Sequence, residues 1–238
     1  MAVQRNVPTP TADSTTETLP SRTGPGLESY VLPIGAGYTW SGDEGSFFHA
    51  CNATVGTGIA GHAAPVVADT DTKALLHVYN GGTKTIIPVY LNLEFTAIGA
   101  GGTLSYNVVY IDDKNATARS SGGTAITPVC TNSEGSNTTG ATIHFGAVVT
   151  AMTSSRKVFS QACREVIPVV EDQITVFFGS PNGGMLSGLT TAGTATANIV
   201  QYAPPIAIRP GGNFNFARIR ASQSGADSYS FSFGYIER

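Results

Sequence analysis

The chain has 238 residues, of which 41% are apolar and only 12% charged, and its formal net charge is −3 at neutral pH. That length fits one large β domain or two small ones, and the charged share is about half the ~25% usual in soluble domains. No cluster of Lys and Arg is present to bind nucleic acid by counterion release, and no apolar run reaches the roughly 18 residues of a transmembrane helix, so neither nucleic acid nor a membrane is an expected partner.

Residues 1–29 are rich in Thr and Pro and nearly devoid of large apolar side chains, so they cannot offset the entropy of ordering and are expected to form an extended N-terminal arm. The arm sets Arg5 and Arg22 against Asp13, Glu17 and Glu28, a balance unsuited to packaging a genome by charge. Met1 to Thr18 has no apolar centre and is not expected to act as a secretory signal.

A single β domain is expected over 30–238, starting near Tyr30 to Ile34 and continuing through the short apolar run Phe47 to Cys51. Gly56 to Pro65 reads as a loop of small residues, and Lys73 to Tyr79 as a strand stopped by Asn80-Gly81-Gly82. The next strand is expected to set Ile87, Val89, Leu91, Leu93 and Phe95 on one face, with Pro88 at an edge or a bulge because proline cannot donate to a ladder. Leu104, Tyr106, Val108 and Tyr110 alternate again, as do Ile143, Phe145, Ala147, Val149 and Ala151. Between them lie a polar stretch from Asp112 to Gly123, a strand over Ala125 to Cys130 and a second polar stretch from Thr131 to Gly140.

Arg156 to Val170 fits either one helical turn or, at Val166 to Val170, a strand. Ile174, Val176 and Phe178 form a strand, followed by loop to about Thr196 and a strand from Asn198 to Ile208 broken by Pro204-Pro205. Phe214 to Arg220 precedes the last stretch, Ser228 to Arg238. There Tyr229, Phe231, Phe233 and Tyr235 fall on every second residue with Ser228, Ser230, Ser232 and Gly234 between them, so one face of the strand is aromatic and the other small and polar. The aromatic face must close over a core. With hardly any helix and no linker in sight, the fold class is all-β: an antiparallel β-sandwich, jelly-roll-like, behind an N-terminal arm.

Chemistry is thinly signalled. His49, His62, His77 and His144 are not expected to hold zinc, and His77 and His144 read as core or cross-strand hydrogen-bonded residues. Asp69 with Asp71, Asp112 with Asp113, and Glu171 with Asp172 could face a hard cation but read as turn caps or solvated acids. Glu94 is the one candidate acid for a hydrolytic cleft, and an interface or solvated role suits it better. There is no Gly-x-Ser-x-Gly and no phosphate loop. Cys51, Cys130 and Cys163 are odd in number and far apart and read as buried free thiols of a reducing cytoplasm, while the triplets at Asn52, Asn115 and Asn137 read as chance matches to the glycosylation pattern. No catalytic, cofactor-binding or metal residue is assigned, and no enzyme is expected.

At Pro204-Pro205, at Pro210-Gly-Gly212 and over the final Phe231 to Arg238, the chain resembles small virion proteins of tailed bacteriophages. The resemblance implies a β-sandwich displayed on or built into a capsid, as a decoration (cement) protein, head fibre or capsid subunit, often a homotrimer, assembled in the host cytoplasm and located in the virion. Its partners would be the capsid shell and itself, with the arm strapping a neighbour. The alternative is a carbohydrate-binding or host-attachment module on the same scaffold, reading glycans through loops 112–123, 131–140 and 180–196 and through Trp40.

Overall fold

The computed structural model describes residues 22–23, 29–30, 45–54, 56–62, 66–112, 120–132, 137–149, 154–164, 167–179, 184–187 and 198–238. Seventeen strands are described: β1 (Arg22–Thr23), β2 (Ser29–Tyr30), β3 (Phe47–Cys51), β4 (Ile59–Ala60), β5 (Lys73–Asn80), β6 (Ile86–Ala97), β7 (Ser105–Asp112), β8 (Ser120–Ser121) and β9 (Thr124–Ile126), then β10 (Val129–Cys130), β11 (Ala141–Val149), β12 (Arg156–Arg164), β13 (Gln173–Phe178), β14 (Gly184–Ser187), β15 (Asn198–Ala203), β16 (Asn213–Arg220) and β17 (Ser228–Glu237). There is no helix among them. Most of the expected arm lies outside the described residues; within it, Arg22–Thr23 pairs antiparallel with Ser29–Tyr30.

Two sheets pack face to face. The first runs β10-β3-β17-β6-β13-β15-β14, with β4 also on β17, and the second β12-β7-β16-β5-β11-β8, with β9 also on β11. Eight strands define the frame, and their pairing is nested. The outermost in sequence, β3 and β17, pair antiparallel, then β5 with β16, β6 with β13, and β7 with β12. The chain from β3 to β17 therefore folds back on itself as one long hairpin wound into two layers, with β8 to β11 inserted between the innermost strands.

The core lies between the layers. Phe145 stacks on Phe231 at 4.5 Å between ring centroids, Phe214 on Phe233 at 6.3 Å, and Phe178 meets Phe214 edge-on at 5.8 Å. All four rings of the terminal strand are buried, as their spacing predicts. Strand β17 is central in its sheet, flanked by β3 and β6.

Several expectations need correction. One pair, β13 with β15, is parallel, so the sandwich is not wholly antiparallel. The Asn198 strand ends at Ala203, where the two prolines stop it. The expected face of β6 holds only from Leu91 onward: Val89 is bulged out between the pairs Gly234–Tyr90 and Tyr235–Pro88, which turns Ile86 and Pro88 inward in place of Ile87 and Val89. Pro88 thus sits at a bulge, as its missing N–H requires. On β7 the expected face (Tyr106, Val108, Tyr110) is the outer one, packed with Val66, Ala217 and Ile219, whereas Val109 faces the main core.

Ala125 to Cys130 is two strands in different sheets, with β9 on β11 and β10 on β3, because Thr127-Pro128 carries the chain across. Short strands also appear where loop was expected, β4 and β14. Arg156–Arg164 is strand rather than helix, and the described part of Val166 to Val170 is not a strand. Of the three thiols only Cys163 is buried; Cys51 is exposed and Cys130 half-buried.

Candidate functional site

The candidate acids and histidines fall into structural roles. His77 bonds Asn215 across strands at 2.6 Å, in keeping with the cross-strand expectation, and lies opposite His144 in the ladder. Asp172 is buried and accepts the amide of Val169 at 2.8 Å, capping a turn in which Glu171 takes a φ of 73°. Asp69 pairs with Lys157 and accepts from the Tyr110 hydroxyl, while the Asp71 carbonyl accepts from Asn215. Asp112 is buried at the end of β7, and Asp113 lies outside the described residues, as does Trp40. Glu94 stands on the outer sheet face between Ser230 and Gln173, with no second acid opposite it in the ladder. Of the expected contact loops, 137–140 is the described part that shapes a cleft.

His49 and Cys51, which the sequence treats separately as a histidine and a thiol, stand two apart on one face of β3. His49 shares a hydrogen bond with Ser232 at 2.7 Å, and burial lowers its pKa. Among the described residues no group of three or more His, Cys, Asp or Glu comes together.

One end of the sandwich is closed by buried charge. Strand β16 sends Arg218 and Arg220 inward. Arg220 pairs with Asp227 and donates to the carbonyls of Gly99, Gly101 and Gly102. Asp227 in turn accepts the Gly99 amide at 2.8 Å and the Tyr229 hydroxyl at 3.0 Å. Burial, with Asp227 adding to it, pushes the Tyr229 hydroxyl well up. Arg218 lies over the Phe95 ring at 4.8 Å and donates to Asn107 and Ser105. His62 lines a small cavity of about 20 Å³ with Arg218 and Asp227; burial and then Lys73 lower its pKa to about 4, opposed by the hydrogen bond that the imidazole donates to the Ala74 backbone.

The other end opens a cleft of about 480 Å³ between the β5–β6 turn, the 137–140 segment and the ends of β3 and β17. Gly82 and Gly140 hold its two walls together: a Cβ on Gly140 would stand 2.4 Å from the Gly82 Cα, so only glycine permits the approach. Asn80 shapes the turn, donating to the Lys84 carbonyl at 2.7 Å and accepting the Gly82 amide at 3.1 Å. Asn137 ties the second wall to the Gly45 carbonyl at 2.9 Å.

At the base lies Glu237, only 5% exposed, whose Oε1 accepts the Gly140 amide at 2.8 Å and the Thr139 hydroxyl at 3.3 Å. Thr139 is itself held by the Tyr235 hydroxyl at 2.8 Å. Burial raises the Tyr235 pKa, with the Thr139 bond opposing it. Thr83, Lys84 and Thr138 line the rest. This is a concave, hydroxyl-rich wall set with one fixed carboxylate and one lysine. Glu237 was missed by the sequence reading, although it continues the every-second-residue series of Tyr229 to Tyr235 and so had to point inward.

No family model matches the chain, and neither a curated protein nor a solved structure shows significant similarity to it.

Proposed function

We propose that the chain is a structural protein of a bacteriophage virion, a capsid-associated decoration or shell subunit that self-associates, with a jelly-roll fold. The observation that carries the reading is the nested pairing of eight strands across two sheets, the wiring of a double Greek key, which recurs in capsid and lectin domains. The low charge of the surface and the Thr- and Pro-rich arm fit a subunit whose contacts are neutral hydrogen bonds and a strap on a neighbour. In this reading the chain binds itself and the capsid shell as a homotrimer, and it neither catalyses a reaction nor carries a cofactor.

Mass and symmetry of the purified chain in solution test it. A stable trimer that falls apart when residues 1–25 are deleted, with folding intact, is the expected result. A monomer at high concentration removes the strap and the self-association together, and a trimer indifferent to the deletion removes the strap alone. A second reading, a glycan-binding or host-attachment module on the same scaffold, is favoured by the terminal cleft and its buried carboxylate.

A further inference from the structure

We infer that the cleft at the Glu237 end is a binding site for one neutral sugar unit, with the Glu237 carboxylate as its central acceptor. The inference rests on the second reading above and assigns it a place, a ligand class and the residues that recognise it.

The argument starts from the carboxylate. Glu237 is 95% buried, and both of its hydrogen bonds within the chain, from Gly140 and Thr139, go to Oε1. No described residue donates to Oε2. Oε2 is open to the cleft rather than sealed from it, so a ligand hydroxyl there can take the place of water as its donor. Because Oε1 is fixed by a backbone amide, the free oxygen is held in one place rather than swinging on a flexible side chain.

The rest of the cleft sets the ligand class. Its volume of about 480 Å³ lies in the range of small-ligand sites, roughly 300–1,000 Å³. Thr83, Thr138 and Asn137 supply groups that both donate and accept, which matches hydroxyls that do the same. The charges are one carboxylate and one ammonium, from Lys84, so the site as a whole favours neither an anion nor a cation. An anionic ligand would meet Glu237 at the base, and a metal ion would find a single carboxylate. A polyhydroxylated neutral ring satisfies the free oxygen and the hydroxyl rim together.

The test is titration of the full-length protein with D-glucose, D-galactose, D-mannose and N-acetyl-D-glucosamine, followed by ligand-observed NMR, with glycine and inorganic phosphate as zwitterionic and anionic probes. At least one sugar is expected to bind saturably. Glu237→Gln, which keeps the length of the side chain, should weaken it about tenfold or more, as expected for a hydrogen bond to a charged group. Thr138→Ala, at an exposed rim position, should weaken it several-fold, and Lys157→Ala, far from the cleft, should leave it unchanged. If Glu237→Gln does not fold, as judged by its circular dichroism, Thr138→Ala carries the decision alone. Binding of a sugar that neither variant weakens overturns the site while leaving the glycan-binding reading standing. Saturable binding of none of the sugars, or of glycine or phosphate in their place, overturns both.

Discussion

Strands β16 and β17 both project every second side chain into the space between the sheets, and they fill it with different chemistry. On β17 the inward residues are four rings followed by Glu237, with Phe233 and Tyr235 stacked at 5.5 Å and Phe95 against Tyr229 at 4.9 Å. On β16 they are Phe214 and Phe216, then Arg218 and Arg220. Rings are satisfied by any close apolar neighbour, whereas a buried guanidinium needs acceptors at fixed positions. The β16 half of the core therefore depends on a loop, Gly99 to Gly102, and on one carboxylate, Asp227, whereas the β17 half uses only Asp227, as acceptor of the Tyr229 hydroxyl. A two-residue period fixes which way a side chain points and leaves open whether its surroundings can accept it.

Cutting the ring ladder gives the largest effect. Phe233→Ala should cost about 3–5 kcal/mol in urea unfolding at neutral pH, because the site is held by rings from both sheets and cannot collapse. A loss under about 1 kcal/mol would mean that the ladder is loosely packed.

The arginine end responds differently to one cut and to two. Asp227→Ala should cost about 3–4 kcal/mol by leaving Arg220 buried beside carbonyls alone, and the double change Arg220→Leu with Asp227→Leu should cost clearly less. A double variant worse than the single one would show that the pair stabilises beyond its own charges.

Acid should strike the same end. His62 has a folded-state pKa near 4 against an ordinary value of 6.5, so between these values the unfolded chain binds more protons than the folded one. Stability is then intact above pH 6.5 and is lost as the pH falls toward 4, by on the order of 2 kcal/mol. Urea midpoints at pH 7.5 and 4.5 should converge when His62→Gln is compared with the parent, and an unchanged acid loss in the variant would move the cause to His49 and His144, whose pKa values burial also lowers. The smallest effect belongs to the outer face of β17: Ser230→Ala should change stability by less than about 0.5 kcal/mol.

Much of the fold is legible wherever alternation is strict and uninterrupted, as over Ile143 to Val149 and Ser228 to Tyr235, and where a short apolar run stops at a turn signal, as over Lys73 to Tyr79. It fails where one residue slips the phase. The bulge at Val89 flips the first turn of β6, and no local pattern marks it beyond Pro88 itself. It fails also on β7, where both faces are apolar because the outer one is covered too, so alternation could not say which layer lay inside. The candidate cleft was half visible: loop 131–140 was expected at a contact surface, but its partner across the gap, the turn at Gly82, is more than fifty residues away in sequence.

The sequence by itself determined the class and, where alternation ran unbroken with one polar face, which side chains point inward, because side-chain alternation is a local consequence of extended backbone. It also placed Arg218, Arg220 and Glu237 on inward positions for anyone who continued the count. Only the tertiary structure decided what those charges would meet. Asp227 and the carbonyls of Gly99, Gly101 and Gly102 close around one end, while Gly140 and Thr139 hold Glu237 at the mouth of a cleft at the other. Acceptors and donors must arrive from distant segments at hydrogen-bond range, and that arrival depends on how the sheets stack rather than on any residue's neighbours in the chain.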